Sequence, residues 1–299
     1  MTETYTKEYL YYPGCSLSAT SQAYDKSTQA TADVLGAKFT ELPDWNCCGA
    51  TAYMGIKEIM ALSISARNLA LAEKHCKNGH AEIVAPCSGC YVGLVKAHNY
   101  MKEFPEMREK VNAALAESDL SYSGSVKVRH VLDIFVNDIG AAKIKQFAIN
   151  PLTGLKVGCY YGCQIVRPRN EIDDPECPVT METLMKACGA TPVDFSMKAN
   201  CCGGSIMGTE EWIGLRLSKN LLHCAEQAGV QILVTPCPLC QINLDAYQHR
   251  VNKKYKLNVN IPILYFTQLI GLAIGVPKER LGIGDEIVSS ARVLEKFFG

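Results

Sequence analysis

The sequence predicts an α/β protein of two homologous subdomains, each a small parallel sheet flanked by helices, the two related by pseudo-twofold symmetry. Three observations lead there. The chain has 299 residues, about twice the length of a common single domain. A three-part cysteine pattern occurs twice in the same order. Short β-rich runs alternate with helical ones in both halves, as expected for strand–helix–strand units with parallel strands.

The repeat carries the most information. The first half holds Tyr12-Pro13-Gly14-Cys15, then Asn46-Cys47-Cys48-Gly49, then Pro86-Cys87-Ser88-Gly89-Cys90. The second holds Tyr161-Gly162-Cys163, then Asn200-Cys201-Cys202-Gly203, then Pro236-Cys237-Pro238-Leu239-Cys240. From Cys15 to Cys163, Cys47 to Cys201 and Cys87 to Cys237 the offsets are 148, 154 and 150 residues. A duplication explains this order. The boundary is expected in Ile149-Asn150-Pro151-Leu152-Thr153-Gly154, giving domains 1–150 and 151–299.

Each element has a local reason. Tyr9 to Tyr12 and Leu155 to Val157 read as short strands running into Gly-Cys. Ser18 to Leu35 is helical in pattern and stops at Gly36. Lys38 to Leu42 and Pro192 to Phe195 read as strands entering the double-cysteine loops. Ile56 to His75 and Glu211 to Ala228 are amphipathic helices, the second ended by Gly229. Ala81 to Ala85 and Gln231 to Thr235 are β-rich and deliver the chain to each C-x-x-C; Tyr91 to Met101 and Gln241 to His249 then look helical. Every cysteine motif therefore follows a strand, and strand ends of a parallel sheet gather binding loops on one side.

Composition narrows the function. Formal net charge is zero, which favours neither nucleic acid nor an anionic membrane surface. The first residues carry Glu3 and Lys7 and no apolar stretch, so no secretory signal is expected and the cytoplasm is the expected compartment. The longest apolar run, Ile261 to Val276, is broken by Pro262 and Gln268 and is too short for direct membrane insertion. The chain has 15 cysteines, and in a reducing compartment that number points to metal or redox chemistry rather than disulfides.

A structural zinc takes four ligands, whereas each half offers five thiols. Cys47 and Cys48, adjacent in sequence, suit two atoms of a polynuclear centre better than one ion. Glycine after the pair lets backbone pass close to a bulky inorganic core. A C-x-x-C at a helix start adds N–H donors that favour thiolate. The C-x2-C-x2-C run of ordinary ferredoxin clusters does not occur, nor does a G-x-G-x-x-G nucleotide loop.

From Tyr9 to about Gly275 this pattern resembles the cysteine-rich CCG domain, duplicated as in the B subunit of heterodisulfide reductase. The resemblance implies two noncubane 4Fe–4S clusters, one per domain, each held by five cysteines. Carried over position by position, the ligands are Cys15, Cys47, Cys48, Cys87 and Cys90, then Cys163, Cys201, Cys202, Cys237 and Cys240. It implies two partners in one complex, a flavin-containing subunit and a small ferredoxin-like subunit that supplies electrons. It also implies a small-molecule disulfide as substrate, coenzyme M joined to coenzyme B in methanogens or a related disulfide elsewhere. Two symmetric centres suit a disulfide, whose sulfurs are equivalent, each centre supplying one electron.

Other residues read more plainly. Cys76 and Cys224, near equivalent helix ends, read as buried core thiols. Cys159 lies four residues before Cys163 and resembles a ligand, but the duplication aligns Cys163 with Cys15, Gly immediately preceding both. Cys177 and Cys188 fall in a helix-like insertion with no first-half partner and read as structural. Arg167, Arg169 and Lys198 could hold a phosphate or carboxylate, although solvated surface charge is the commoner fate. His98 and His130 could donate protons, but hydrogen-bonded helix or strand-end histidines fit better. Asp133 and the run Val131 to Ile139 match Leu264 to Leu272 as core helix. Three rivals remain: an electron-transfer CCG subunit of an enzyme of succinate, fumarate, glycolate or lactate oxidation, a zinc-stabilised interaction module, and a C-x-x-C dithiol oxidoreductase. The last leaves Cys15 and the paired cysteines unexplained.

Overall fold

A computed structural model describes residues 7–50, 53–76, 81–167 and 172–297. Eight strands form two four-stranded parallel sheets: β1 (Lys7–Tyr11), β2 (Ala37–Glu41), β3 (Glu82–Ala85) and β4 (Lys127–His130), then β5 (Lys156–Cys159), β6 (Thr191–Val193), β7 (Ile232–Thr235) and β8 (Ile263–Tyr265). The strand orders are β2-β1-β3-β4 and β6-β5-β7-β8, so the halves share one topology. All ladders are parallel. The helices Gln22–Val34, Glu58–His75, Ser88–Glu103, Glu211–Gln227 and Pro238–Ala246 fall where the sequence places helices after strands.

The fourth strand of each sheet departs from the sequence reading. β8 comprises the start of a run expected to be wholly helical, and helix follows from Phe266 to Ala273. In a fully buried apolar run, strand and helix have no distinguishing period. In the first half, Val131–Asp133 turns at once into a six-residue π-helical stretch, Ile134–Ile139. The supposed insertion around Cys188 is also corrected. The Thr180–Ala187 helix lies between β5 and β6 as Gln22–Val34 lies between β1 and β2, so it is the counterpart of that helix; the longer, turn-rich lead from Cys163 hides the match in sequence.

One face of each sheet has its own core. Leu62, Leu69, Ile83, Tyr91 and Leu94 pack in the first half, and Leu221, Leu222, Leu233 and Leu244 in the second. The opposite faces share the largest core, which joins Tyr9, Tyr11 and Phe39 to Val157, Leu184, Phe266 and Leu269. Its contacts are reciprocal. The helix after β1 packs on the helix after β8, while the helix after β5 packs on the π-helical stretch and the Ala141–Phe147 helix after β4. Mutual burial of matched elements is what a twofold-related pair produces.

Polar groups fix the seam. Ser27 Oγ and Thr267 Oγ1 are 2.7 Å apart, Thr31 Oγ1 donates to the Thr267 carbonyl at 3.1 Å, and Tyr24 stacks on Tyr265 at 4.2 Å. Beyond β8 the chain returns to the first half, where Lys278–Leu281 packs on Gln22–Val34. Gln268 Nε2 donates to the Leu281 carbonyl, and Asp245 accepts from the backbone of Ile287 and Val288. No helix among the described residues is long and apolar enough to cross a membrane.

Candidate metal centre

The two double-cysteine loops are held by matching bonds. Tyr12 OH donates to the Asn46 carbonyl and Tyr160 OH to the Asn200 carbonyl, both at 2.7 Å. Ser65 Oγ donates to the Cys48 carbonyl and Ser218 Oγ to that of Cys202. Backbone N–H groups of Gly203 and Gly204 point at Cys201 and Cys202 Sγ, each at 3.3 Å; those of Gly49 and Ala50 serve Cys47 and Cys48. Each tyrosine is buried against four of its half's thiols, and burial and those sulfurs push its ionisation upward. It therefore stays a neutral donor.

Glycine before the lone cysteine has a steric cause. Gly14 and Gly162 both have φ +72°, a region costly for other residues. A Cβ would stand 3.1 Å from Cys90 Sγ at Gly14 and 3.2 Å from Cys240 Sγ at Gly162. The backbone thus passes directly over the second cysteine of each C-x-x-C.

Nine of the ten sequence-predicted thiols form one row, with Cys15 beside it. In the first half Cys47 adjoins Cys48, Cys48 Sγ lies 3.3 Å from Cys90 Sγ, and Cys90 adjoins Cys87, while Cys15 acts on Cys47 only electrostatically. In the second half Cys163 adjoins Cys201, Cys201 adjoins Cys202, Cys202 Sγ lies 3.5 Å from Cys240 Sγ, and Cys240 adjoins Cys237. Cys87 and Cys237 then meet across the seam. Six of the ten are buried (Cys48, Cys87, Cys90, Cys202, Cys237 and Cys240), while Cys15 and Cys47 are exposed. Among the described residues no three Cys, His, Asp or Glu side chains close around one point as a single-ion cage.

Neighbouring thiols share protons. Hydrogen bonds with Cys47 and Cys90 lower Cys48 to about 3, and those with Cys163 and Cys202 lower Cys201 to about 2. Cys240 and Cys87 likewise hold Cys237 well below the ordinary thiol range. Their donors are pushed upward in return. Protons are thus shared unevenly along the row, and the thiolate is the form that binds metal.

The remaining candidates fall outside this row. Cys159 and Cys188 are buried core thiols, and burial pushes Cys188 up to about 12. Cys177 is exposed, and Cys76 and Cys224 are half-buried at the edges of their cores rather than inside them. Lys198 is neither free surface charge nor ligand-facing: it pairs with Glu182 and Asp194, both at 3.0 Å, beneath Tyr161. Arg167 bonds the Ala199 and Pro175 carbonyls and Glu176. Arg169 lies outside the described residues. His98 contacts Tyr122 OH at 2.6 Å. His130, fully buried, accepts from Leu132 N–H at 3.0 Å, and burial lowers it to about 4. Two residues beside the row went unnoticed in the sequence, Ser88 and Gln164. Their signal was a mismatch within the repeat, where Ser88 faces Pro238 and Gln164 faces Ser16.

Fold and site together define a duplicated α/β scaffold whose two sets of cysteine loops face each other across a seam. The cysteine-rich domain family, CCG, matches residues 9–95 and 157–245, and the chain belongs to that family in the duplicated form found in the B subunits of heterodisulfide reductases. It is 33% identical over 289 residues to the 8-methylmenaquinol:fumarate reductase membrane anchor subunit of Wolinella succinogenes, covering 96% of this chain and 99% of that one. It is 31% identical over 292 residues to the B subunit of the ferredoxin/F(420)H(2)-dependent CoB-CoM heterodisulfide reductase of Methanosarcina acetivorans, with 96% of each covered. A crystal structure of a hypothetical protein from Helicobacter pylori shares the fold, with TM-score 0.74 and 18% identity. That match covers 95% of this chain, which spans about half (52%) of the solved one.

Proposed function

We propose that this chain is the catalytic subunit of a heterodisulfide-reductase-type complex, in which a small-molecule disulfide is reduced beside paired iron–sulfur centres. The observation that carries this reading is the row of nine touching thiols, with Cys15 beside it, that joins the two halves at the Cys87–Cys237 contact. The residues fit such a group: the row is entirely of soft donors, mostly buried, and the backbone approaches closely at glycine. Cys15, Cys47, Cys48, Cys87 and Cys90 would hold one centre and Cys163, Cys201, Cys202, Cys237 and Cys240 the other, in the noncubane 4Fe–4S form that the family resemblance implies. When bound, these centres supply single electrons.

The chain's own residues hold the centres adjacent. Tyr12 and Tyr160 fix the loops, and the shared core holds the halves against each other. Reduction of a disulfide to two thiols takes two electrons and two protons. A ferredoxin-like partner is proposed to deliver the electrons, a flavin-containing partner to gather them, and the complex to work in the cytoplasm.

The test is anaerobic purification with native partners, iron and sulfide analysis, and turnover with candidate disulfides. Iron and sulfide in equal amounts are expected. Cys47→Ala or Cys201→Ala should remove one centre, leave the other half's spectrum and abolish turnover. Zinc without iron, or unchanged disulfide reduction in either variant, would end the proposal. A second reading has its own support. The near-complete coverage of a fumarate reductase membrane anchor subunit fits an electron-transfer role between a quinol and a flavin-containing partner. Copurification of a fumarate-reducing partner, with no disulfide turnover, would select it.

A further inference from the structure

The helix after β1 and the helix after β5 are counterparts, yet their first turns are finished differently. In the second half, Val179 and Thr180 N–H donate to Asp173 Oδ2 and Met181 N–H donates to Tyr161 OH, each at 2.7 Å. In the first half the position of Tyr161 is held by Pro13, which has no hydroxyl, and the lead from Ser16 to Ser21 contains no acidic residue. Tyr24 N–H turns back to the Ser21 carbonyl at 3.0 Å. Among the described residues the N–H groups of Gln22 and Ala23 have no backbone acceptor, and the start of a helix leaves such groups for an outside partner.

Ser21 stands at the capping position of this first-half helix but makes no capping bond. It is 2% exposed, and its hydroxyl has no hydrogen-bond partner among the described residues. The Tyr265 hydroxyl near it donates to Gln241 Oε1 at 3.3 Å. Ser21, Gln22 and Ala23 line a recess of about 590 Å³ together with Gln241, Gln268 and Asp285, a volume within the range of small-molecule sites. The recess shares no residue with the ten thiols. An unpaired buried hydroxyl is costly to keep, and this one opens on a cavity that a ligand can fill.

Other polar groups of the recess are already engaged. Gln241 and Gln268 cover the free edge of β8: Gln241 Nε2 donates to the Ile263 carbonyl at 3.1 Å, and Gln268 Oε1 accepts from Tyr265 N–H at 2.8 Å. Glu286 accepts from the N–H groups of Gly284 and Ser290. Asp285 has only a 3.7 Å pairing with Lys26, both side chains about half exposed, and such a pair is weak. Its Oδ2 overhangs the helix start, because a Cβ at Gly282 would stand 3.1 Å from it and 2.7 Å from Ala23 Cβ. No basic side chain lines the recess. It therefore has two poles. The helix start and Ser21 suit a carboxylate, while Asp285 and Glu286 suit an ammonium. A plain anion meets the two carboxylates, and a plain cation meets the helix start.

We propose that this recess binds a small zwitterion of the α-amino acid class. The Ser21 hydroxyl and the N–H groups of Gln22 and Ala23 hold its carboxylate, and Asp285 holds its ammonium in exchange for Lys26. The ligand lies across the seam, with Ser21 from the first half and Tyr265 and Gln241 from the second, so it ties the halves together and stabilises the fold by mass action. The site needs nothing from the thiol row, and it goes beyond the disulfide-reductase function without resting on it.

The test is calorimetric titration of the full chain, purified anaerobically, with L-alanine, propionate and ethylamine. Propionate lacks the ammonium and ethylamine lacks the carboxylate. Alanine is expected to bind about tenfold more tightly than either, because each pole adds a charge-assisted hydrogen bond. Ser21→Ala should reduce the preference over ethylamine severalfold, and Asp285→Asn the preference over propionate, both with iron content unchanged. The Tm of the ligand-free chain should not fall in Ser21→Ala, whose lost hydroxyl bonds nothing there. Asp285 is exposed, so its variant decides the matter if Ser21→Ala does not fold. Alanine binding no tighter than its analogues, or either preference unchanged in its variant, would overturn the proposal. A chain that binds alanine yet reduces no disulfide when given electrons would remove the proposed function and leave this site. A chain that reduces disulfides but shows no alanine preference would do the reverse.

Discussion

The two cysteine loops differ less in their scaffolding than in their exposure. Tyr12 and Tyr160 make the same bond at the same distance, and Gly14 and Gly162 share one backbone angle. Yet Cys15 and Cys47 are exposed where Cys163 and Cys201 are half-buried. Duplication has preserved what holds sulfur and changed what touches solvent. The scaffold is constrained by the centre, while the rim is free to suit a substrate or an electron donor.

The sharpest way to break the comparison is at the shared glycines. Gly14→Ala and Gly162→Ala each place a methyl against a sulfur and force a positive φ on a residue that resists it. Each is expected to lose the iron of its own half and all turnover. Iron analysis and visible spectra check this, and full iron in either variant would show that the close approach is incidental.

A smaller effect is expected where the halves use different ion pairs for the same purpose. The first half buries Arg129 against Asp133 and Asp138, with Lys7 and Tyr9 joining Asp138. The second uses Lys198 and Glu182 under Tyr161. Burial alone would raise the Asp138 pKa, but hydrogen bonds from Arg129, Tyr9 and Lys7 hold it below the ordinary value. A depressed carboxylate contributes stability above its unfolded pKa, about 3.9, and loses it as pH falls toward the folded value. Asp138→Asn should cost about 3 kcal/mol at neutral pH and flatten the loss of stability below about pH 4. Denaturant melts across pH measure both. An unchanged acid slope would show that Asp138 is not the group responsible.

The smallest effect sharpens the likeness. Tyr12→Phe and Tyr160→Phe each remove one bond to a loop carbonyl and should cost about 1 kcal/mol apiece. Nearly equal shifts in Tm are expected. A difference of several-fold would show that one loop depends on its tyrosine more than the other.

Much of this was legible in the residues. The doubled cysteine pattern, its place after each strand, and helices ended at Gly36 and Gly229 all reflect local chemistry. The missing fourth strands show the limit: Lys127–His130 is four residues with charge at Lys127 and Arg129, and Ile263–Tyr265 opens an unbroken apolar run. The match of Thr180–Ala187 to Gln22–Val34 was hidden by a longer lead from Cys163. The Cys87–Cys237 contact and the reach of Ser88 and Gln164 join segments far apart in the chain, and no periodicity encodes such meetings.

The bond between Ser27 and Thr267 links residues separated by 240 positions. At a synthesis rate of about 5–20 residues per second, the first helix waits on the order of tens of seconds for the surface it packs against. All five first-half cysteines have left the ribosome before Cys237 can meet Cys87. Metal delivery and closure of the seam thus compete in time. A cell that makes this protein has a window in which iron can reach the first set of thiols from a side that the finished fold covers.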